Sequence, residues 1–137
     1  MKTLSPDQLI ELIAPEPALV DDAMRRFDIT APALCREPGY CRELIEEGWI
    51  TPLQINWRDA PAFVVGWRMT TDRGLWIEVA QTLAAGAPTE ALIDGVYLLS
   101  QREGARYIRF LTARRGLVKL GQQHGYHAEA IMLVKSL

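Results

Sequence analysis

Cysteine, histidine and long apolar runs are all scarce in this chain, and each scarcity removes a class of protein. Cys35 and Cys41 are the only 2 cysteines, and His124 and His127 the only 2 histidines, among 137 residues. Two soft ligands with no third or fourth beside them fall short of a structural zinc site, so no metal is expected. A disulfide between Cys35 and Cys41 is one option; two thiols in a reducing compartment are the preferred one. No apolar run reaches the roughly 18 residues of a membrane span. The first residues hold no basic region ahead of an apolar stretch, so a signal peptide is not expected and a cytoplasmic setting follows as the default. Repeats, low-complexity tracts and an interdomain linker are missing as well.

What is present suits one folded domain. Hydrophobic residues make up 49% of the chain and charged residues 23%, a balance that argues against disorder. The expected organisation is a single unit over residues 1–137, helical over 1–48, with a sheet and crossover helices over 50–137. Ser5, Pro6 and Asp7 have the chemistry of a helix start, and Leu9, Ile10, Leu12 and Ile13 give that helix an apolar face up to Pro15. A second helix is expected from Pro17 to Phe27 and a third from Tyr40 to Glu47, stopped by Gly48.

Near Ile50 the apolar period shortens from 3.6 towards 2. Strands are expected over 53–57, 62–69 and 75–83, joined by a turn at Arg58–Asp59 and by Thr70–Gly74 as an antiparallel meander. Trp57, Trp67 and Trp76 lie in them as packing residues. A helix over 89–102 with Leu92, Val96 and Leu99 inward follows, with Gly95 inside it at a cost of about 1 kcal/mol unless a close neighbour requires it. A strand from Tyr107, a helix over 113–123 and a last strand towards Leu133 and Val134 complete the pattern. Strand, helix, strand is a crossover, so this half is at least partly parallel.

Charge is divided unevenly. Residues 1–101 carry 8 basic and 15 acidic side chains, and residues 102–137 carry 7 basic and 2 acidic ones. Such asymmetry marks either a surface that meets phosphate or a solvated face. Arg114 and Arg115 open the last helix, where the dipole disfavours them unless a phosphate or carboxylate is near. Arg106 and Arg109 are three apart in a strand and do not share a face. With no recognition-helix pair and no stacking signature, a nucleic-acid partner is not expected.

Gly125-Tyr126 at the end of the last helix, after strand, loop, helix and strand, resembles the acyl-CoA N-acyltransferase superfamily called GNAT. The likeness covers roughly residues 50–137, with the N-terminal helices matching loosely. It implies an α/β (α+β mixed) fold with a central, mostly antiparallel mixed sheet, helices on both faces, and middle strands that splay apart where acetyl-CoA or another acyl-CoA enters. The family's phosphate loop is matched by Gln81-Thr82-Leu83-Ala84-Ala85-Gly86, with Ala84 in place of the first glycine. Backbone amides at a helix N-terminus are what such a loop offers to phosphate. The resemblance therefore makes Gln81, Ala84, Ala85, Gly86 and Ala87 candidate cofactor residues, joined by Arg114 and Arg115; Pro88 removes one donor.

Two positions bear on catalysis. Many family members carry a tyrosine four residues before the glycine of the Gly-aromatic pair to protonate the departing thiolate; Gly121 stands there. His124, Tyr107 and Tyr126 are candidate substitutes, each with a structural role as the alternative. A general base is needed for the attacking amine, and Glu78, in the strand before the loop, is the candidate. Strict alternation sets Trp76, Glu78 and Ala80 on one face and Ile77, Val79 and Gln81 on the other, so Glu78 meets either solvent or substrate.

Two functions stay open at this point. One is an acyl-CoA-dependent N-acyltransferase acting on an amine. The other, suggested by a resemblance to acyltransferase-like proteins of tailed phages and prophages, is an inactive GNAT-like fold that binds a protein partner. A homodimer is compatible with both.

Overall fold

The computed structural model describes residues 9–30, 37–112, 115–129, 133 and 135. Its elements are β1 (Ile10–Ile13), α1 (Pro17–Thr30), α2 (Tyr40–Glu46), β2 (Thr51–Trp57), β3 (Ala60–Met69), β4 (Gly74–Thr82), α3 (Thr89–Glu103), β5 (Tyr107–Phe110) and α4 (Arg115–Gln123). The strands form one sheet in the order β1-β2-β3-β4-β5. The first three pairings are antiparallel and β4–β5 is parallel, as a strand–helix–strand crossover through α3 requires.

Two buried clusters lie on opposite faces of the sheet. Leu53, Ile55, Phe63, Val65, Trp67, Leu75 and Ile77 meet Ala91, Leu92, Val96 and Leu99 of α3. Val64, Val79 and Ile50 meet Ala23, Met24 and Phe27 of α1 and Cys41 of α2. Gly95 has its reason here: a Cβ on it would stand 2.9 Å from Cγ2 of Ile55, so α3 comes closer to β2 than any other residue would permit. The β2–β3 hairpin turns through Arg58 and Asp59, both at positive φ (51° and 62°), the geometry of a two-residue turn that matches strand twist.

The first apolar stretch departs from expectation. Ile10–Ile13 is a strand, paired with β2 from Ile10↔Trp57 to Ile13↔Gln54. As a strand these residues gain backbone bonds to β2 along all four positions and bury Ile10 in the α3-side cluster, which an isolated short helix would not. The expected helix start at Ser5–Asp7 lies outside the described residues. So does part of the expected last strand, 130–132 and 134, while its described residues, 126–129 and Leu133, are not in strand. Among the described residues β5 is therefore an edge.

The alternation expected in β4 also fails. Gly66 pairs with Val79 and Trp67 with Ile77, so Glu78 is the extra residue of a β-bulge. The bulge reverses the faces beyond it: Ile77 packs on the α3 side, yet Val79 packs on the α1 side and Ala80 on the α3 side.

Candidate functional site

β4 and β5 are paired only from Gly74↔Tyr107 to Ile77↔Phe110. Beyond Ile77, β4 runs on to Thr82 while β5 has ended. The sheet thus splits at the Glu78 bulge, and among the described residues the far half of β4 has β3 on one side and no strand on the other. Backbone groups along that open side can accept an extended ligand as a strand would be accepted.

The loop from β4 to α3 turns on main-chain bonds. Leu83 and Ala84 N–H both donate to Ala62 O, at 2.7 and 3.4 Å, and Ala87 N–H donates to Ala84 O at 3.3 Å. Arg26 of α1 holds the loop from outside, its Nη1 donating to the carbonyls of Thr82 (3.5 Å) and Leu83 (3.2 Å), with Asp22 3.0 Å from its Nη2. Those bonds occupy the amides of Ala84 and Ala87. The amides of Ala85, Gly86, Thr89 and Glu90 donate to no group among the described residues, and α3 begins after Pro88 with no side-chain cap. A Cβ on Gly86 would meet nothing within 4 Å. Gln81 turns away from this role, its amide bonded to the Thr82 carbonyl at 3.1 Å.

Thr89, the first residue of α3, lines a recess of about 320 Å³ with Gly116, Leu117 and Leu120 of α4. Two helix N-termini therefore open on one space, and their dipoles, with the amides at the start of α3 that find no acceptor among the described residues, favour an anion there. Leu117 also lines a larger cleft of about 1110 Å³ between α3, β5, α4 and the segment after it. His124, Tyr126, His127 and Glu129 line this cleft, whereas Glu78 and residues 81–87 do not. Arg115 opens α4 as expected, but its side chain, like all of Arg114, lies outside what is described.

Glu78 is anchored. Its Oε1 accepts from Arg68 Nε at 2.9 Å, with the carboxylate side chain 12% exposed. Arg68 also stacks on Trp76 at 4.2 Å, and Arg109 stacks on the same ring at 4.4 Å. Register explains the row: Arg68 pairs with Trp76 across β3–β4, and Trp76 with Arg109 across β4–β5. Arg109 Nη2 in turn donates to Glu129 Oε2 at 2.8 Å, and His127 Nε2 lies 3.7 Å from Glu129 Oε1. This row is invisible in sequence because it depends on the register of three strands.

Among the candidate acids, Tyr107 is committed elsewhere: its hydroxyl donates to the Asp72 carboxylate, 2.9 Å from each oxygen. His124 is exposed just past α4, with its backbone N–H donating to Gly121 O at 2.9 Å. Tyr126 stands edge-on to Phe110 at 5.8 Å, and its buried hydroxyl has no partner among the described residues. Burial pushes that phenol up to about 12. Its ring fills the space over Gly121, where a Cβ would lie 3.5 Å from that of Tyr126.

This architecture is shared with solved acetyltransferases. A GCN5-related N-acetyltransferase from Ralstonia eutropha superposes with a TM-score of 0.62 at 10% identity, over 93% of this chain and 98% of that one. An aminoglycoside acetyltransferase, HMB0005, from an uncultured soil metagenomic sample gives 0.56 at 16% identity, over 93% and 97%. AAC(6')-Iy, solved with the bisubstrate analog CoA-S-monomethyl-acetylneamine, gives 0.55 at 10%, over 93% and 98%. No family model matches the sequence, and no curated protein does. The chain has the GNAT fold, a mixed five-stranded α+β sheet with helices on both faces.

Proposed function

We propose that the chain is an acyl-CoA-dependent N-acyltransferase. The observation that carries this is a sequence of three connected features: the split between β4 and β5, the amides at the start of α3 that have no acceptor among the described residues, and the recess that Thr89 of α3 shares with α4. A ligand with phosphates at one end and an extended amide-bearing arm offers a group to each. A CoA analog is bound by one protein of this fold.

Ala85, Gly86, Thr89 and Glu90 would hold the pyrophosphate through their main-chain N–H groups, aided by the dipoles of α3 and α4. The open side of β4 beyond Ile77 would hold the arm through backbone pairing. Bound there, an acyl-CoA supplies a thioester that acylates an amine and leaves as the thiolate. Glu78, at the bulge where the strands part, takes the proton of the attacking amine directly or through one water. Arg68 fixes the carboxylate of Glu78 so that no rotamer search precedes the step.

Isothermal titration with acetyl-CoA and with CoA tests the reading. Micromolar binding is expected; a well-folded protein that binds neither would end it. Glu78→Gln should lower acyl transfer at least tenfold with CoA affinity unchanged, and an unchanged rate would remove Glu78 from the mechanism.

A further inference from the structure

The Arg68–Trp76–Arg109 row lies beside the last rungs before the strands part, on the side of Glu78. Its two guanidinium groups are not equivalent. Arg68 is one-third exposed and bonded to a carboxylate that is itself nearly buried (35% and 12%). Arg109 is 45% exposed, and its partner Glu129, in the irregular segment after α4, is 57% exposed. Only Nη2 of Arg109 is engaged in a hydrogen bond among the described residues, so Nε and Nη1 remain as donors. Trp76 Nε1–H is likewise buried without an acceptor among them. The row thus has donors in surplus, and stacking on the indole holds the planar fork of Arg109 in place. Such a fork matches a carboxylate bidentately, whereas Glu129 touches it through one oxygen only.

We propose that Arg109 receives a carboxylate of the acyl acceptor, which displaces Glu129, and that the acceptor is a small amino acid. This rests on the acyltransferase reading above. Arg109 and Arg68 lie 4.4 and 4.2 Å from the centroid of the Trp76 ring, and Arg68 holds Glu78 at 2.9 Å, so Arg109 and the Glu78 carboxylate flank a single side chain. An acceptor whose carboxylate lies on Arg109 while its amine approaches Glu78 therefore has the two groups only a few bonds apart. The amine gives one proton to Glu78 and forms the new amide, the carbon–sulfur bond breaks, and the carboxylate on Arg109 takes no part in bond making. Arg109 is in this sense a specificity-determining residue.

Binding of the product pair decides the matter without an activity assay. CoA-loaded protein is titrated calorimetrically with N-acetylalanine and with its neutral amide. The acid should bind at least tenfold more tightly than the amide, Arg109→Gln should abolish that difference, and Glu129→Gln should tighten the acid several-fold by removing the internal competitor. Equal affinities, no binding of the acid to protein that has taken up CoA, or a Glu129→Gln variant identical to the parent would each overturn the proposal. Should Arg109→Gln fail to fold, the surface change Glu129→Gln still discriminates. Protein that takes up no CoA in the first step refutes the acyltransferase reading itself, a separate and earlier result.

Discussion

Tyr126 and Asp72 each tie the protonation of a single residue to folding, at opposite ends of the pH scale. The Tyr126 hydroxyl is buried without a partner among the described residues, and its phenol is pushed up to about 12. The folded state thus favours the neutral form over the unfolded one, whose value is 10.0. Its contribution is complete below pH 10 and is lost as pH rises through about 12. Tyr126→Phe should remove that alkaline loss and leave neutral-pH stability equal or slightly higher, since an unsatisfied buried hydroxyl costs about 1–3 kcal/mol; thermal melts at pH 7 and pH 11 check both. Asp72 acts at the opposite end. Hydrogen bonds from Thr70 and then Tyr107 hold its carboxyl below the ordinary 3.8. Its contribution is present above the ordinary value and disappears as pH falls through the lowered one. Tyr107→Phe should move the acid unfolding midpoint up, by a small amount because the carboxylate is exposed.

Elements in this fold are held at close quarters, and two contacts can be probed. In Gly95→Ala the new methyl would stand 2.9 and 3.0 Å from two carbons of Ile55, a fully buried side chain. Overpacking of this kind costs about 1–3 kcal/mol, and better helix propensity returns about 1. A net loss of about 1 kcal/mol is expected in urea unfolding, and Ile55→Val should reduce it. Arg26 connects α1 to the end of β4. Arg26→Met should weaken CoA binding severalfold while the melting temperature changes little, because the residue is half exposed and packs no core.

Legibility differs between elements for physical reasons. The meander, α3 and the Gly125 stop are readable because period, turn chemistry and a left-handed glycine each have a local cause; Gly125 indeed has φ +89°. Ile10–Ile13 is not, since its apolar pattern fits a helical stripe as well as a strand and only pairing with β2 decides. The proposed phosphate loop is marked in sequence by Gln81 and Gly86, yet Gln81 bonds its own strand, and Thr89 and Gly116 contribute the recess. Trp76 reads as packing, because nothing local reports that two guanidinium groups will flank it. Glu78 stands out by position, while the bulge that places it needs the register of β3 against β4.

At the scale of the whole molecule, one hydrophobic layer under α3 and another under α1 and α2 sandwich the sheet. No helix among the described residues is long and apolar enough to cross a membrane, and no cluster of three or more metal-ligating side chains occurs among them. The layers differ in their relation to the site. α3 supplies core and, on the proposed acyltransferase reading, the amides that meet phosphate, so changes at its inner face should alter stability and CoA affinity together. Leu92→Ala, at a side chain 5% exposed, should cost about 2–5 kcal/mol and lower CoA affinity at the same time. Met24→Ala, under α1, should cost stability in the same range with CoA affinity kept; paired denaturation and calorimetry separate the two.

A sheet that stops pairing midway leaves an edge inside the protein instead of at its rim. Beyond Ile77, alternate amides of β4 face the gap and should exchange with deuterated solvent far faster than their neighbours turned towards β3. A bound extended ligand would slow that subset alone, so a two-residue periodicity of protection along 78–82 would map the ligand's path amide by amide.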